Sequence, residues 1–271
     1  MKKLLYLFLV IACFGISAQS TAEEYYERGH SKNSLEDYYG AIADYSKAIE
    51  LAPNYTMAYL NRGFSKNSLE DYYGAIADYS KAIEIGPAGY AFIGYYSRGH
   101  SKNSLEDYYG AIADYSKAIA LSPEFSNAYY SRGRSKAYLE DHNGAIADFS
   151  KAIELDPNDA DTYVQRSVSK AYLEDHNGAI ADLTKAIELD PNDANAYFGR
   201  GYAKNNLEDY YGAIADYTKA IEFDPNDADA YFLRGISKEE LGDLNGACAD
   251  WRKAASLGHS NSAEWVKELC N

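Results

Sequence analysis

The sequence predicts an all-α solenoid built from tandem antiparallel helix pairs. The main observation is internal repetition, because the stretch RGHSKNSLEDYYGAIADYSKAI at residues 28–49 recurs unchanged at residues 98–119. A third copy at residues 62–83 differs only at Phe64. A unit of this kind cannot bury its own apolar face, so neighbouring units must stack to form a continuous core.

The copies keep a fixed register along the chain. Diverged copies begin at Arg132, Arg166, Arg200 and Arg234. A small residue follows the first arginine of each of the seven copies, at Gly29, Gly63, Gly99, Gly133, Ser167, Gly201 and Gly235. These residues are spaced by 34, 36, 34, 34, 34 and 34 positions, and the two extra residues fall around Gly89 to Ala91. A period of 34 is typical of a helix-turn-helix repeat.

The first repeat shows how each unit is built. Tyr25, Tyr26, Gly29 and Leu35 are spaced as one side of a first helix, and residues 36–40 are expected to form a turn. A second amphipathic helix carries apolar residues at positions i, i+1, i+4, i+7 and i+8, namely Ala41, Ile42, Tyr45, Ala48 and Ile49. Pro53 disfavours helix in the residue before it, so the second helix ends there.

This pattern resembles the tetratricopeptide repeat family. Its signature places are held in the first unit by Tyr25, Gly29, Ala41, Tyr45, Ala48 and Pro53. The later prolines keep the register, at Pro87, Pro123, Pro157, Pro191 and Pro225. Two departures are regular, because Arg28 stands where the family usually has leucine and Lys32 where it has an aromatic residue. The resemblance implies a right-handed superhelical solenoid.

The repeat register divides the chain into predicted segments. Seven repeats cover residues 22–261, as repeat 1 to repeat 7 over 22–55, 56–89, 92–125, 126–159, 160–193, 194–227 and 228–261. Residues 262–271 read as a C-terminal capping helix, since a solenoid needs a polar outer face at its end. In this helix we expect Trp265, Val266 and Leu269 to face the core.

Two cysteines fall near the predicted cap. Cys248 begins the second helix of repeat 7, and Cys270 ends the capping helix. Antiparallel helices of equal length bring their outer ends together, so we hypothesise a disulfide between these residues in an oxidising compartment.

The first 18 residues have the layout of a secretory signal peptide. Lys2 and Lys3 precede the apolar run 4–16, and we expect cleavage after Ala18. An alternative is that residues 10–13 are a bacterial lipobox, with Cys13 as a lipid anchor. Both alternatives predict an exported bacterial protein that is periplasmic, outer-membrane-associated or secreted. The mature chain has no other long apolar segment, so we predict no transmembrane span.

Composition argues against several functions. The net charge of −15 disfavours nucleic acids and anionic lipids. No phosphate loop, HExxH or GxSxG motif is present, so we predict a protein that is not an enzyme and has no cofactor. The Asp-Pro-Asn-Asp turns at 156–159, 190–193 and 224–227 lack the glycine and closing glutamate of an EF-hand, so no metal site is predicted.

The repeated charges are expected to hold the architecture together. Arg28 and Lys32 lie one turn apart on the first helix, and Asp44 lies on the second. Because half-buried charges need partners, we predict a ladder of ion pairs between helices. The alternative is a line of cations for an acidic ligand.

The resemblance implies that the first helices line a concave surface. Two positions one turn apart vary on these helices: Tyr26, Leu60, Tyr96, Tyr130, Val164, Phe198 and Phe232, followed by His30, Phe64, His100, Arg134, Val168, Tyr202 and Ile236. Asn33, Asn67, Asn103 and Asn205 follow a turn later. We predict a peptide groove that takes an extended peptide or a partner helix, so that the protein serves as an interaction scaffold. The alternative is that several of these residues only pack against the next repeat.

Paired tyrosines in the turns suggest a second function. The pairs are Tyr38–Tyr39, Tyr72–Tyr73, Tyr108–Tyr109 and Tyr210–Tyr211. We expect only the second tyrosine of each pair to be exposed. Exposed rings can stack on sugars, so the alternative function is binding of a glycan at the cell surface or in the periplasm.

Overall fold

A computed structural model describes residues 21–270, which form fifteen α-helices and no strands. The chain divides into two compact units, one ending at Leu139 and the other beginning at Glu140. The predicted signal peptide, including Cys13, lies outside the described residues.

The first unit contains seven helices, each packed against the next. They are α1 (residues 21–34), α2 (Tyr38–Leu51), α3 (Thr56–Ser68), α4 (Tyr72–Ile85), α5 (Ala88–Ser104), α6 (Tyr108–Leu121) and α7 (Ser126–Tyr138). Helix α5 has 17 residues where α3 and α7 have 13, because it begins four residues earlier, at Ala88, and takes in the two extra residues between repeats 2 and 3.

The second unit contains the remaining eight helices in the same serial arrangement. They are α8 (His142–Leu155), α9 (Ala160–Tyr172), α10 (His176–Leu189), α11 (Ala194–Asn206), α12 (Tyr210–Phe223), α13 (Ala228–Glu240), α14 (Leu244–Ser256) and α15 (Ser262–Leu269). The odd-numbered helices α1–α13 are the first helices of the repeats and the even-numbered ones are the second helices. The predicted all-α solenoid is confirmed.

The turn inside each repeat is closed by its own backbone and an aspartate. Glu70 has φ 62°, in the left-handed region, and the N–H of Asp71 donates to the carbonyl of Lys66 at 2.9 Å, which closes the end of α3. The Asp71 carboxylate then accepts from the N–H of Gly74 and caps α4. A β-carbon on Gly74 would lie 2.1 Å from that carboxylate, so this tight turn favours glycine.

A small residue on the first helix faces an aromatic ring on the second. A β-carbon on Gly63 would lie 2.8 Å from the Tyr79 ring, and one on Gly99 would lie 2.8 Å from the Tyr115 ring. The missing side chain therefore lets the helices of a repeat approach closely. The rings are almost completely buried and form the core between the helices.

Within both units, a buried aspartate on a second helix binds two cations from the first helix of its repeat. In repeat 5, Arg166 donates from Nε (2.9 Å) and Nη2 (2.6 Å) to the two oxygens of Asp182, and Lys170 Nζ lies 2.8 Å away. Arg166 also donates from Nη1 to Ser150 on α8 at 3.0 Å, which ties repeat 5 to the preceding helix. Its guanidinium lies 5.7 Å from the Tyr163 ring centroid, within cation–π distance.

The same ion pairs recur along both units. The arginine–aspartate pairs include Arg28–Asp44, Arg62–Asp78, Arg98–Asp114, Arg200–Asp216 and Arg234–Asp250. In repeat 1, the hydrogen bonds from Arg28 lower the pKa of Asp44 from 3.8 to about 2. The predicted ion-pair ladder is confirmed, and these cations are engaged inside the structure.

The C-terminal helix α15 covers the end of repeat 7. Trp265 packs edge-on against Trp251, with ring centroids 5.0 Å apart. A disulfide joins Cys248 and Cys270, whose Cα atoms are 5.5 Å apart. The expectation for Leu269 is wrong: its side chain is 40% exposed, because it lies in the last turn of a helix of only eight residues.

Replacing Asp182 with Asn should lower the free energy of unfolding by about 3 kcal/mol, because two half-buried cations lose their counter-charge. The measurement is urea unfolding followed by circular dichroism. As a control, Glu188→Gln removes only the exposed ion pair with Lys185 and should change stability by about 0.5 kcal/mol or less. Equal urea midpoints for the two variants would contradict a stabilising role for the ion pairs.

Replacing Cys248 and Cys270 with serine should lower the free energy of unfolding by about 2–4 kcal/mol, because the bridge restricts the unfolded chain. Denatured wild-type protein should show two more free thiols after reduction than before it. Equal thiol counts with and without reduction would contradict the disulfide.

Candidate ligand groove

The predicted groove residues lie on the first helices, and their exposure varies widely. In the first unit Phe64 is 50% exposed. His100 is also exposed, whereas Tyr26, Tyr96 and Tyr130 are half-buried. These residues therefore divide into side chains that reach solvent and side chains that pack within the repeats.

Two of the half-buried tyrosines pack against other aromatic rings. Tyr26 lies 5.7 Å from Tyr45 and 5.0 Å from Tyr55, measured between ring centroids, and its hydroxyl accepts from Asn61 Nδ2 at 2.8 Å. Tyr96 lies 5.8 Å from the Tyr115 ring. These rings stabilise contacts between helices and offer a ligand only their outer edges.

Leu60 does not belong to the accessible groove. It is 5% exposed and packs with Ala75, Tyr79 and Ala82 in one core cluster. Its aliphatic side chain is shorter than the tyrosine found at the same place in repeats 1, 3 and 4, so it ends inside the core. The prediction of Leu60 as a ligand contact is corrected accordingly.

Arg134 adds a positive charge to the first unit's surface. Its guanidinium lies 5.8 Å from the Tyr130 ring centroid, and Nη2 lies 3.5 Å from the Tyr138 hydroxyl. Cation–π contact of this kind holds a long side chain close to the helix surface.

The second unit brings four of the predicted residues around one cavity. Val164 and Val168 from α9 face Phe198 and Tyr202 from α11, and Leu183 from α10 also lines the cavity. The cavity has a volume of about 460 Å³, within the range of small-ligand and side-chain pockets. Val168 is 46% exposed and Tyr202 is 44% exposed, so the cavity opens to solvent.

The last two predicted groove residues contact the C-terminal core. The Phe232 ring stacks on His259 at 4.1 Å and packs edge-on against Trp265 at 5.1 Å. Ile236 belongs to the same apolar cluster, together with Val266. Both residues are half-buried, so part of each side chain is used by this core.

The asparagines beside the groove have a structural partner. Asn67 Oδ1 accepts from the Ser101 hydroxyl at 2.7 Å, and the Ser101 side chain is fully buried. The equivalent bonds are Asn33–Ser65, Asn103–Ser135 and Asn205–Ser237. These amide oxygens hold neighbouring repeats together, and sequence reasoning placed them only at the groove edge.

The paired tyrosines begin helices α2, α4, α6 and α12, so the prediction that they lie in the turns is wrong, but their exposure divides as expected. Tyr39, Tyr73, Tyr109 and Tyr211 are 76%, 77%, 76% and 77% exposed. The first tyrosine of each pair is only half-buried, and Tyr108 stacks on Tyr138 with ring centroids 5.0 Å apart. Exposed rings therefore recur at one position in several repeats.

Within residues 21–270, no group of three His, Cys, Asp or Glu side chains is arranged to hold a metal ion.

The helices described for residues 21–270 are all too short or too polar to cross a lipid bilayer.

Family models match the repeats directly. The tetratricopeptide repeat model matches residues 22–55 and 126–159, and a second model of that description matches residues 94–125. A TPR repeat model matches residues 171–208 and 205–242. Among curated proteins, no sequence matches the chain significantly.

Solved structures with the same fold include several tetratricopeptide proteins. YrrB, described as a TPR protein with an unusual peptide-binding site, is 26% identical, with a TM-score of 0.62 over 70% of this chain and 98% of that chain. MamA is 25% identical, with a TM-score of 0.60 over 65% of this chain and 96% of that one.

A third structure shows the fold alone. It is the C-terminal part of a TPR repeat-containing protein from Cytophaga hutchinsonii, which is 19% identical, with a TM-score of 0.74 over 88% of this chain and 98% of that chain. The repeats, their helix pairs and these matches agree with one another. This chain therefore belongs to the tetratricopeptide repeat family.

Proposed function

We propose that this protein is a non-catalytic scaffold that binds an extended peptide or a partner helix of another protein in its groove. The observation that carries the proposal is the open apolar surface of α9 and α11. There Val168 and Tyr202 are almost half exposed beside the cavity. Solvent-exposed apolar side chains around a cavity are typical of protein-binding sites.

The family supports the same function. Tetratricopeptide proteins are generally interaction scaffolds, and YrrB is described as having a peptide-binding site. Each first helix presents two groove side chains that are one helical turn apart. This spacing suits contact with side chains of an extended peptide or of a partner helix.

We also propose that the protein works in the cell envelope or outside the cell. The basic start at Lys2 and Lys3, followed by an apolar run, supports export by a signal peptide. The disulfide between Cys248 and Cys270 supports an oxidising compartment. Lipid attachment at Cys13 is the alternative to a soluble exported form.

Site-specific photo-crosslinking tests the groove. Tyr202 is replaced by p-benzoylphenylalanine, which resembles tyrosine in shape, and the protein is expressed in its native host and irradiated. We expect a defined crosslinked protein band, because a bound partner lies within reach of this position.

Tyr211 is the matched control, since it is a more exposed tyrosine at the start of α12 in the same unit. The same substitution there should give no such band. A partner captured at Tyr211 and not at Tyr202 would move binding to the start of α12 and contradict the groove.

The recurring exposed tyrosines favour one second candidate, a glycan-binding protein. Tyr39, Tyr73 and Tyr109 present similar exposed rings from three repeats of the first unit. A row of equivalent rings suits a polymer of repeating sugars, because a sugar's apolar face stacks on an aromatic ring.

A glycan array tests this candidate. Binding to a polysaccharide by the wild type, lost in the triple variant Tyr39→Ala, Tyr73→Ala, Tyr109→Ala, would support it. Substitution of exposed side chains should leave the unfolding midpoint nearly unchanged. An array without any bound glycan would exclude it.

A further inference from the structure

Repeat 5 departs from the other repeats at its ring positions. Only repeat 5 has an aliphatic residue at the large buried position of the second helix. From repeat 1 to repeat 7 this position is Tyr45, Tyr79, Tyr115, Phe149, Leu183, Tyr217 and Trp251. The facing position on the first helix is also aliphatic in repeat 5, as Val164. Repeat 5 is the one repeat in which neither of these two positions carries a ring.

In other repeats the two rings contact each other and fill this space. The ring centroids of Tyr96 and Tyr115 lie 5.8 Å apart, as do those of Phe198 and Tyr217. Val164 and Leu183 are smaller than the aromatic side chains at these two positions in repeat 3 or repeat 6, so they fill less of the space between the helices.

Repeat 5 also differs at the small residue of its first helix, which faces the position where the ring is missing. Glycine is required beside Tyr79, Tyr115 and Tyr217, because a β-carbon would lie 2.8–3.0 Å from each ring. Repeat 5 has Ser167 at this place, which the shorter Leu183 accommodates. The hydroxyl of Ser167 donates to the carbonyl of its own helix at Val164 (2.7 Å), so it places no unsatisfied polar group in the cavity.

Gly199 keeps the cavity open from the α11 side. A β-carbon here would approach the Leu183 methyl groups at 3.3 and 3.4 Å. The result is an apolar cavity bounded by aliphatic side chains and by the rings of Phe198 and Tyr202. Its volume of about 460 Å³ is sufficient for a large aliphatic or aromatic side chain.

The unit that contains this cavity carries almost all of the protein's net charge. Residues 140–271 contain 26 acidic and 12 basic residues, a net charge of −14 out of −15 for the whole chain. Residues 1–139 contain 15 acidic and 14 basic residues, a net charge of −1. The field around the cavity therefore attracts cations.

Cations on the helices that line the cavity are already bound. Arg166 and Lys170 pair with Asp182, and Lys185 pairs with Glu188. Exposed acids follow both helices that flank the cavity: Glu174 and Asp175 after α9, and Glu208 and Asp209 after α11. The carboxyl ends of these helices add further negative potential.

We infer that the repeat 5 cavity binds one bulky apolar side chain of a partner peptide whose neighbouring residues are lysine or arginine. The inference rests on the proposed scaffold function and specifies the ligand of its groove. Val164, Leu183 and Gly199 form the space for the apolar side chain, and the acidic turns after α9 and α11 attract the flanking cations.

The test is selection from a phage-displayed library of random linear peptides on three forms of the full mature protein. The first is the wild type. The second carries Val164→Tyr, Ser167→Gly and Leu183→Tyr, which copy Tyr96, Gly99 and Tyr115 of repeat 3 and fill the cavity without a change of charge. The third is Tyr211→Ala, a surface change away from the cavity.

The wild type and Tyr211→Ala should select peptides that combine one large apolar residue with Lys or Arg. Synthetic copies of these peptides, followed by fluorescence anisotropy, should lose about tenfold or more in affinity when the apolar residue becomes alanine. Replacing the flanking cations with glutamate, or raising the salt concentration, should also weaken binding. The filled variant should not bind them.

Circular dichroism checks that the filled variant is folded. If it does not fold, Gly199→Leu narrows the same cavity with a residue that repeat 7 carries at this place as Leu233, and it should lose binding in the same way.

Two results would overturn the inference while leaving the scaffold function intact. One is selection of acidic or wholly polar peptides. The other is selection of peptides that bind the filled variant as well as the wild type, because binding then occurs elsewhere on the groove.

If no peptide is enriched and photo-crosslinking at Tyr202 captures no partner, both proposals fail. Self-association of the wild type that the filled variant lacks would make a second copy the occupant and also overturn the inference.

Discussion

The stacking of the repeats depends on the hydrogen bonds that an arginine of the first helix makes to two second helices. In repeat 5, Arg166 binds both oxygens of Asp182 on its own second helix and the hydroxyl of Ser150 on the helix before it. One planar guanidinium with five donors can satisfy both partners at once. Lysine could not make this planar, bidentate contact, and this explains why Arg and Lys in the same helix have different roles although both bind Asp182.

A second constraint is the fit of volume between the helices of each repeat. A large residue on the second helix requires a small one on the first, because interiors are packed to high density. Gly235 has the closest contact of this kind, since a β-carbon there would lie 2.4 Å from Trp251 Nε1. Where the ring is lost, at Leu183, the first helix can carry Ser167 and the remaining space becomes a cavity. The same packing rule therefore produces both the regular core and its one departure.

These two constraints separate the architectural residues from the ones available for binding. Because the buried aspartates neutralise the cations of the first helices, the remaining surface of the second unit is strongly acidic. The cap also contacts the groove, since Trp265 packs against Phe232. In the second unit the surface around Val168 and Tyr202 stays open, beside the cavity. Charge and accessible apolar surface thus coincide in the second unit.

The sequence by itself determined the helix pairs, their register and the ion pairs, because these depend on local periodicity and on residues that recur every 34 positions. It also identified Val164, Phe198 and Tyr202, which line one cavity. Only the tertiary structure decided which groove positions reach solvent. Leu60 is buried by its own second helix, and Phe232 packs against Trp265 of α15. A side chain's exposure depends on the shape and length of its neighbours in space, which periodicity alone does not specify.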